Sequence, residues 1–131
     1  MGIGRVVLDT NILVSALLSR DGNPAKIYRM FAARAFTLVY SIAILDEYDD
    51  VLYRPKLRIP HSDIAIVMDA IRQYGEETWA VQSAHIMPDE DDRVFYDTAK
   101  SAGAYLISGN IKHYPNEPFI LTPVEFLALL Q

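Results

Sequence analysis

A parallel β-sheet covered by helices on both faces is the fold class this sequence predicts, and three observations predict it. Short apolar runs rich in β-branched residues alternate with longer stretches of helical periodicity. The runs are apolar almost throughout, as strands buried on both faces must be. Glycine, proline and capping residues mark the changes of period. At 131 residues, 51% of them hydrophobic, the chain fits a single domain over 1–131 with a substantial core.

The elements follow in order. "RVVLD" suits a buried strand, and Thr10 is placed to cap the apolar helix "NILVSALLS". After the turn "RDGN", Pro24 opens a helix with Ile27, Met30 and Phe31 at core spacing. "FTLVY" is a second strand, and Ser41 caps "IAILDEYDDVLYR", which Pro55 ends in the basic loop "RPKLRIPH". "SDIAIVMDAIRQYG" is a further helix whose stripe Ile64, Val67, Met68 and Ile71 suits a core or an interface. "TWAVQS" is expected to form the third strand. A helix from about Asp91 to Ala102 stops at Gly103, "AYLIS" is the fourth strand, "FIL" a short fifth, and a last helix starts at Pro123. No internal repeat or linker interrupts the series.

Composition narrows the chemistry. The sequence has no cysteine, which removes disulfides, thiolate metal sites and cysteine nucleophiles together and suits a reducing cytosol. The apolar opening lacks a basic leader and a cleavage site, and Asp9 and Asn11 interrupt it, so neither a secretion signal nor a membrane span is expected. Val6 stands where an N-myristoylation pattern wants Ser or Thr. A net charge of -5 argues against a protein that coats polyanions through its own bases. An acidic chain can still handle phosphates if its carboxylates hold divalent cations.

Sites in such sheets form outside the C-terminal ends of the strands, near the point where strand order reverses. Asp9 and Asn110 both follow strands at that edge, and the helix after Ser41 starts from it. On that helix Asp46, Asp49 and Asp50 oppose the apolar arc, whereas Glu47 lies beside Ile44 and Val51, where an unpaired carboxylate is costly. In "MPDEDDRVFYDTAKSAG" the inward series of Phe95 and Ala99 extends back to Asp92, with Asp91 and Asp97 pointing elsewhere. Each acid has a plainer explanation. Asp9 can close an Asx turn, Glu47 can reach water from the stripe's margin, and Asp92 can serve the helix dipole or a capping box with Asp89. Three carboxylates converging from distant parts of the chain nevertheless repel unless protons or cations relieve them, and Mg²⁺ prefers oxygen ligands.

These residues carry a resemblance. "VVLDTNILVSALLS", "LDEYDDVLYRPKL", "PDEDDRVFYDTAKSAGAYLISGN" and "TPVEFL" resemble the PIN-domain family, in particular the VapC-like toxins of prokaryotic toxin-antitoxin pairs, nearly end to end and in the family's order. The resemblance implies a three-layer α/β/α sandwich with a five-stranded parallel sheet and a cytoplasmic, metal-dependent endoribonuclease leaving 5′-phosphate and 3′-hydroxyl ends. It implies Asp9, Glu47 and Asp92 as the family's acids. In the chemistry such acids suit, Asp9 and Asp92 bind Mg²⁺ or Mn²⁺, and Glu47 ligates directly or through water and helps accept a proton from the attacking water. Asn110 completes the catalytic set but stands where many relatives carry Asp, and it can offer only an amide oxygen. Asn11 and Ser108 match positions that orient carboxylates or waters. A small antitoxin and a second copy of the chain are the implied protein partners.

Substrate contacts are read from the residues alone. Arg54, Lys56, Arg58, Arg93, Lys112 and His113 could flank the site and hold phosphates, or be ordinary solvated bases. His113 reads as a loop or substrate-edge residue, since no second histidine stands at ligand spacing. Tyr40, Tyr48 and Tyr114 could stack on unpaired bases, with core packing the default for Tyr48. A phosphoacceptor domain would need paired acids after the first strand and a late lysine. A phosphohydrolase would need a second acid where Asn11 stands. The more serious rival is a catalytically weak PIN-like module that binds RNA or protein, which Asn110 favours.

Overall fold

A computed structural model describes residues 4–130. The elements are β1 (Arg5–Leu8), α1 (Thr10–Leu18), α2 (Asn23–Ala32), β2 (Thr37–Tyr40), α3 (Ile42–Leu52), α4 (His61–Tyr74) and β3 (Glu76–Glu77). After them come α5 (Arg93–Ala102), β4 (Tyr105–Ile107), β5 (Ile120–Leu121) and α6 (Pro123–Ala128). Short 3-10 turns lie at Pro55–Leu57, Glu90–Asp92 and Ile111–His113. The five strands are all parallel in the order β3-β2-β1-β4-β5, the three-layer α/β/α architecture expected.

Consecutive residues Val6, Val7 and Leu8 are all fully buried, as are Leu38, Val39, Leu106 and Ile107. Neighbours in a strand point to opposite faces, so the sheet is covered on both. One packing group joins α2 and α6 through Phe31, Phe36 and Phe126, whose rings meet edge-on or tilted. Another joins α3 to α5 through the stacked rings of Tyr48 and Phe95. The stripe Ile64, Val67, Met68 and Ile71 is buried in the chain's own core, which removes it as an interface. Tyr40, Tyr48 and Tyr114 are buried as well and offer no ring to a base. Among the described residues no helix is long and apolar enough to cross a membrane.

Three local expectations are corrected. The cap of α1 is Asp9 rather than Thr10, because its carboxylate accepts from the Asn11 amide and makes Thr10 the first helical residue. "TWAVQS" is not a strand; β3 is the pair Glu76–Glu77, and Trp79 and Val81 are exposed. Gly75 explains the placement. A Cβ there would stand 2.5 Å from the Ile71 carbonyl and 3.0 Å from that of Leu38, so only glycine lets α4 run directly into a strand against β2. The acid-rich run forms a 3-10 turn capped by Asp89 on the Asp91 amide, and α5 begins at Arg93 rather than Asp91. No capping box joins Asp89 to Asp92.

The strand order places the reversal between β1 and β4: the chain builds outward from β1 to β2 and β3, then returns to the other side of β1. Residues just beyond β1 and β4 therefore face one crevice.

Candidate metal centre

Asp9 leaves β1 at that crevice and is buried. Its Oδ1 accepts from the Asn11 amide at 3.2 Å. Its Oδ2 accepts from the Ser108 hydroxyl at 2.9 Å and the Tyr114 hydroxyl at 2.7 Å. Burial, then the Asp9 charge, raise the Tyr114 phenol far above its ordinary range, which keeps it a donor. Asn11 ties β1 to β4, with its Oδ1 accepting from the Gly109 amide at 3.1 Å. Ser108 Oγ in turn accepts from the Asn110 amide at 3.0 Å. Beneath them the buried Tyr48 hydroxyl donates to the Leu8 carbonyl, one residue before Asp9. The Ser108 hydroxyl and the Asn11 backbone amide therefore hold the Asp9 carboxylate, while the Asn11 side chain reaches Gly109 and Ser108 instead.

Asp92 faces the same crevice from the end of its 3-10 turn. Its Oδ2 is buried and receives no hydrogen bond, although His113 Nδ1 lies 3.4 Å away, near enough for attraction but not aligned as a donor. Burial, followed by the charges of Asp9 and Asp89, pushes its carboxyl up to about 6, while His113 opposes the shift. Glu47 on α3 is half-buried, and its carboxyl is raised by burial first and then by Asp50, with Asp91 and Asp9 adding and Arg54 opposing. Asp9 thus acts on both other carboxyls, the mutual repulsion expected of acids gathered at one edge. Asn110 Nδ2 lies 2.9 Å from His113 Nε2. Among the described residues Asp89, Asp92 and His113 are the one group of three such side chains whose ligating atoms all lie within 4.8 Å of one another.

The donor set fits a divalent cation. A buried carboxylate oxygen with no donor, beside a second carboxylate, is relieved by positive charge in the crevice, and the ligands present are mainly oxygens.

The basic candidates divide. Arg54 and Lys56 line a cavity of about 370 Å³ together with Asp9, Thr10 and Asn11, although Arg54 also pairs with Asp50 at 3.0 Å. Lys112 and His113 follow Asn110 on an exposed turn, and Arg58 is exposed beyond α3. Arg93 is corrected. Its Nε and Nη2 donate to Glu90 (2.6 and 2.8 Å), Nη1 to the Ser83 carbonyl and hydroxyl (2.8 and 3.0 Å), and Nη2 also to the His85 carbonyl (2.6 Å). Its five donor positions are thereby occupied, and it clamps the irregular stretch before α5 instead of meeting a phosphate. Asp97 is buried, accepts from the Ser83 hydroxyl at 2.6 Å and lies 3.9 Å from Arg93 Nη1. Sequence reasoning missed the Tyr114 hydroxyl on Asp9 and the proximity of Asp89 to His113. The first had no sequence signal across 105 positions.

A parallel α/β sandwich with acids gathered at its switch point defines a class of nuclease-like folds. The chain belongs to the PIN-domain family, whose model matches residues 5–112. It is also similar to Uncharacterized protein MJ1680 of Methanocaldococcus jannaschii, with 27% identity over 109 residues covering 81% of this chain and 70% of the relative. No solved structure matches it.

Proposed function

We propose that this chain is a divalent-metal-dependent endoribonuclease and the toxin of a prokaryotic toxin-antitoxin pair, similar to VapC. The observation that carries the nuclease reading is the buried, donor-less Oδ2 of Asp92 opposite an Asp9 held by two hydroxyls. Asp9, Asp92 and Glu47 are the residues that would hold Mg²⁺ or Mn²⁺. When bound, such an ion supplies Lewis acidity that acidifies a water and polarises the phosphate.

The chain's own residues do the rest. Asp9 is fixed by Ser108, Tyr114 and the Asn11 amide, so its carboxylate is oriented before substrate arrives. Glu47, with its carboxyl raised, accepts the proton of the attacking water. Asn110 presents its amide to an oxygen of the scissile phosphate. Arg54 and Lys56, along the cavity that opens beside Asp9, receive neighbouring phosphates of the strand, and Lys112, on the exposed turn after Asn110, is a further candidate phosphate contact. The resemblance to toxins adds a small antitoxin, self-association and a cytoplasmic setting.

The test is cleavage of a panel of structured and unstructured RNAs by wild type and Asp92→Asn, with Mg²⁺, with Mn²⁺ and with chelator. Metal-dependent cutting is expected from wild type, with kcat in the variant reduced by about 10²–10³-fold and KM nearly unchanged. A folded wild type that binds RNA but no metal would leave the binding-module reading in its place.

A further inference from the structure

The geometry points to His113 as a nitrogen ligand of the metal held at Asp92, with Asp89 beside it, giving this site a preference for a transition ion such as Mn²⁺ over Mg²⁺. This rests on the reading of the crevice as a divalent-metal site and extends it to residues which that reading leaves out.

His113 Nδ1 lies 3.4 Å from Asp92 Oδ2. Two donors about 2.1 Å from one cation lie about 3.0 Å apart at an octahedral right angle and somewhat further at a tetrahedral one, so the pair is spaced like neighbours in a coordination shell. The same Oδ2 is buried and lacks a donor, whereas a settled Asp–His hydrogen bond would satisfy it. Asp89 uses Oδ1 on the Asp91 amide and keeps a ligating oxygen within 4.8 Å of both partners.

Asn110 supplies the support that a ligating imidazole needs on its far nitrogen. It stands 2.9 Å from His113 Nε2, and its amide can present either the oxygen or the nitrogen. With the oxygen turned inward it accepts from Nε2–H and leaves the Nδ1 lone pair directed toward Asp92. The residue that departs from the common acid thus gains a second role: its amide oxygen sets the tautomer of the ring, which leaves the amide nitrogen for a phosphate oxygen. Imidazole nitrogen binds Mn²⁺ and the later divalent ions in preference to Mg²⁺, which takes oxygen and keeps its waters.

The test is electron spin-echo spectroscopy of the full chain loaded with Mn²⁺, which reads coupling to a ligating ¹⁴N directly and needs no substrate. The chain has 3 histidines, His61, His85 and His113, so three single substitutions assign any signal. Wild type, His61→Gln and His85→Gln are expected to show imidazole coupling, and His113→Gln to lose it. In titrations of the same proteins His113→Gln should weaken Mn²⁺ about tenfold or more and Mg²⁺ much less. Bound Mn²⁺ without nitrogen coupling in wild type, or coupling that persists in His113→Gln, overturns the inference and leaves the three-acid nuclease standing. A wild type that binds no divalent ion overturns both.

Discussion

The two walls of the crevice are built on opposite principles. On the wall made by β1 and β4, Asp9 has both oxygens engaged, and Asn11, Ser108 and Tyr114 join it in one connected set of bonds. On the wall made by α3 and the turn before α5, Glu47 and Asp92 carry raised carboxyls, and an oxygen of Asp92 is buried without a donor. The contrast teaches that identical chemistry can be placed for different ends. Asp9 is part of the scaffold as much as of the site, whereas Asp92 is held in charged form at a cost that a proton or a bound cation removes.

Changing Asp to Asn at each position breaks the comparison most sharply, because the expected signs differ. In Asp9→Asn the amide nitrogen meets a donor if it faces the Asn11 amide, and if it faces the two hydroxyls both must turn their protons away from the bonds they now make. Urea unfolding should show a loss of about 2 kcal/mol. Asp92→Asn in metal-free buffer at pH 7.5 should instead gain about 1 kcal/mol, a rise in Tm of roughly 3–5 °C. The sign follows from the shift of Asp92 from 3.8 to about 6. Between those values the folded chain holds a proton that the unfolded chain has released, so wild-type stability falls as pH rises through that window and the variant lacks that fall. Saturating Mn²⁺ should reverse the order of wild type and variant. The smallest global effect is expected from Arg93→Lys, which cannot reproduce the forked contacts to Ser83, His85 and Glu90. Stability should change by less than about 1 kcal/mol, while hydrogen exchange speeds up in the stretch before α5.

The pattern of the sequence made four of the five strands and the main helices legible, because buried parallel strands and amphipathic helices write their burial into residue type. The third strand was not. An edge strand is joined to the sheet by backbone bonds on one side, and Glu76 and Glu77 have exposed side chains, so no apolar signal marks them. The apolar residues that suggested "TWAVQS" include Trp79 and Val81, which are exposed and belong to an irregular stretch held by Arg93. In the candidate site, the inward direction of Asp92 could be read from its spacing to Phe95. The pairing of Asp9 with Tyr114 could not, because it depends on how the turn after Asn110 folds back. Asp89 and His113 were hidden for the same reason: their meeting requires two turns to close on each other, and neither has periodicity to reveal its direction.

Asp9 is bound by Ser108 and Tyr114, which follow it by 99 and 105 positions. Local pieces can form early during synthesis, but a contact of that span waits until β4 has been made and inserted beside β1. A partly synthesised chain therefore carries Asp9 with neither of its hydroxyl clamps. On the proposed ribonuclease reading, such timing would act as a safeguard, because the site stays incomplete while the chain is still being made.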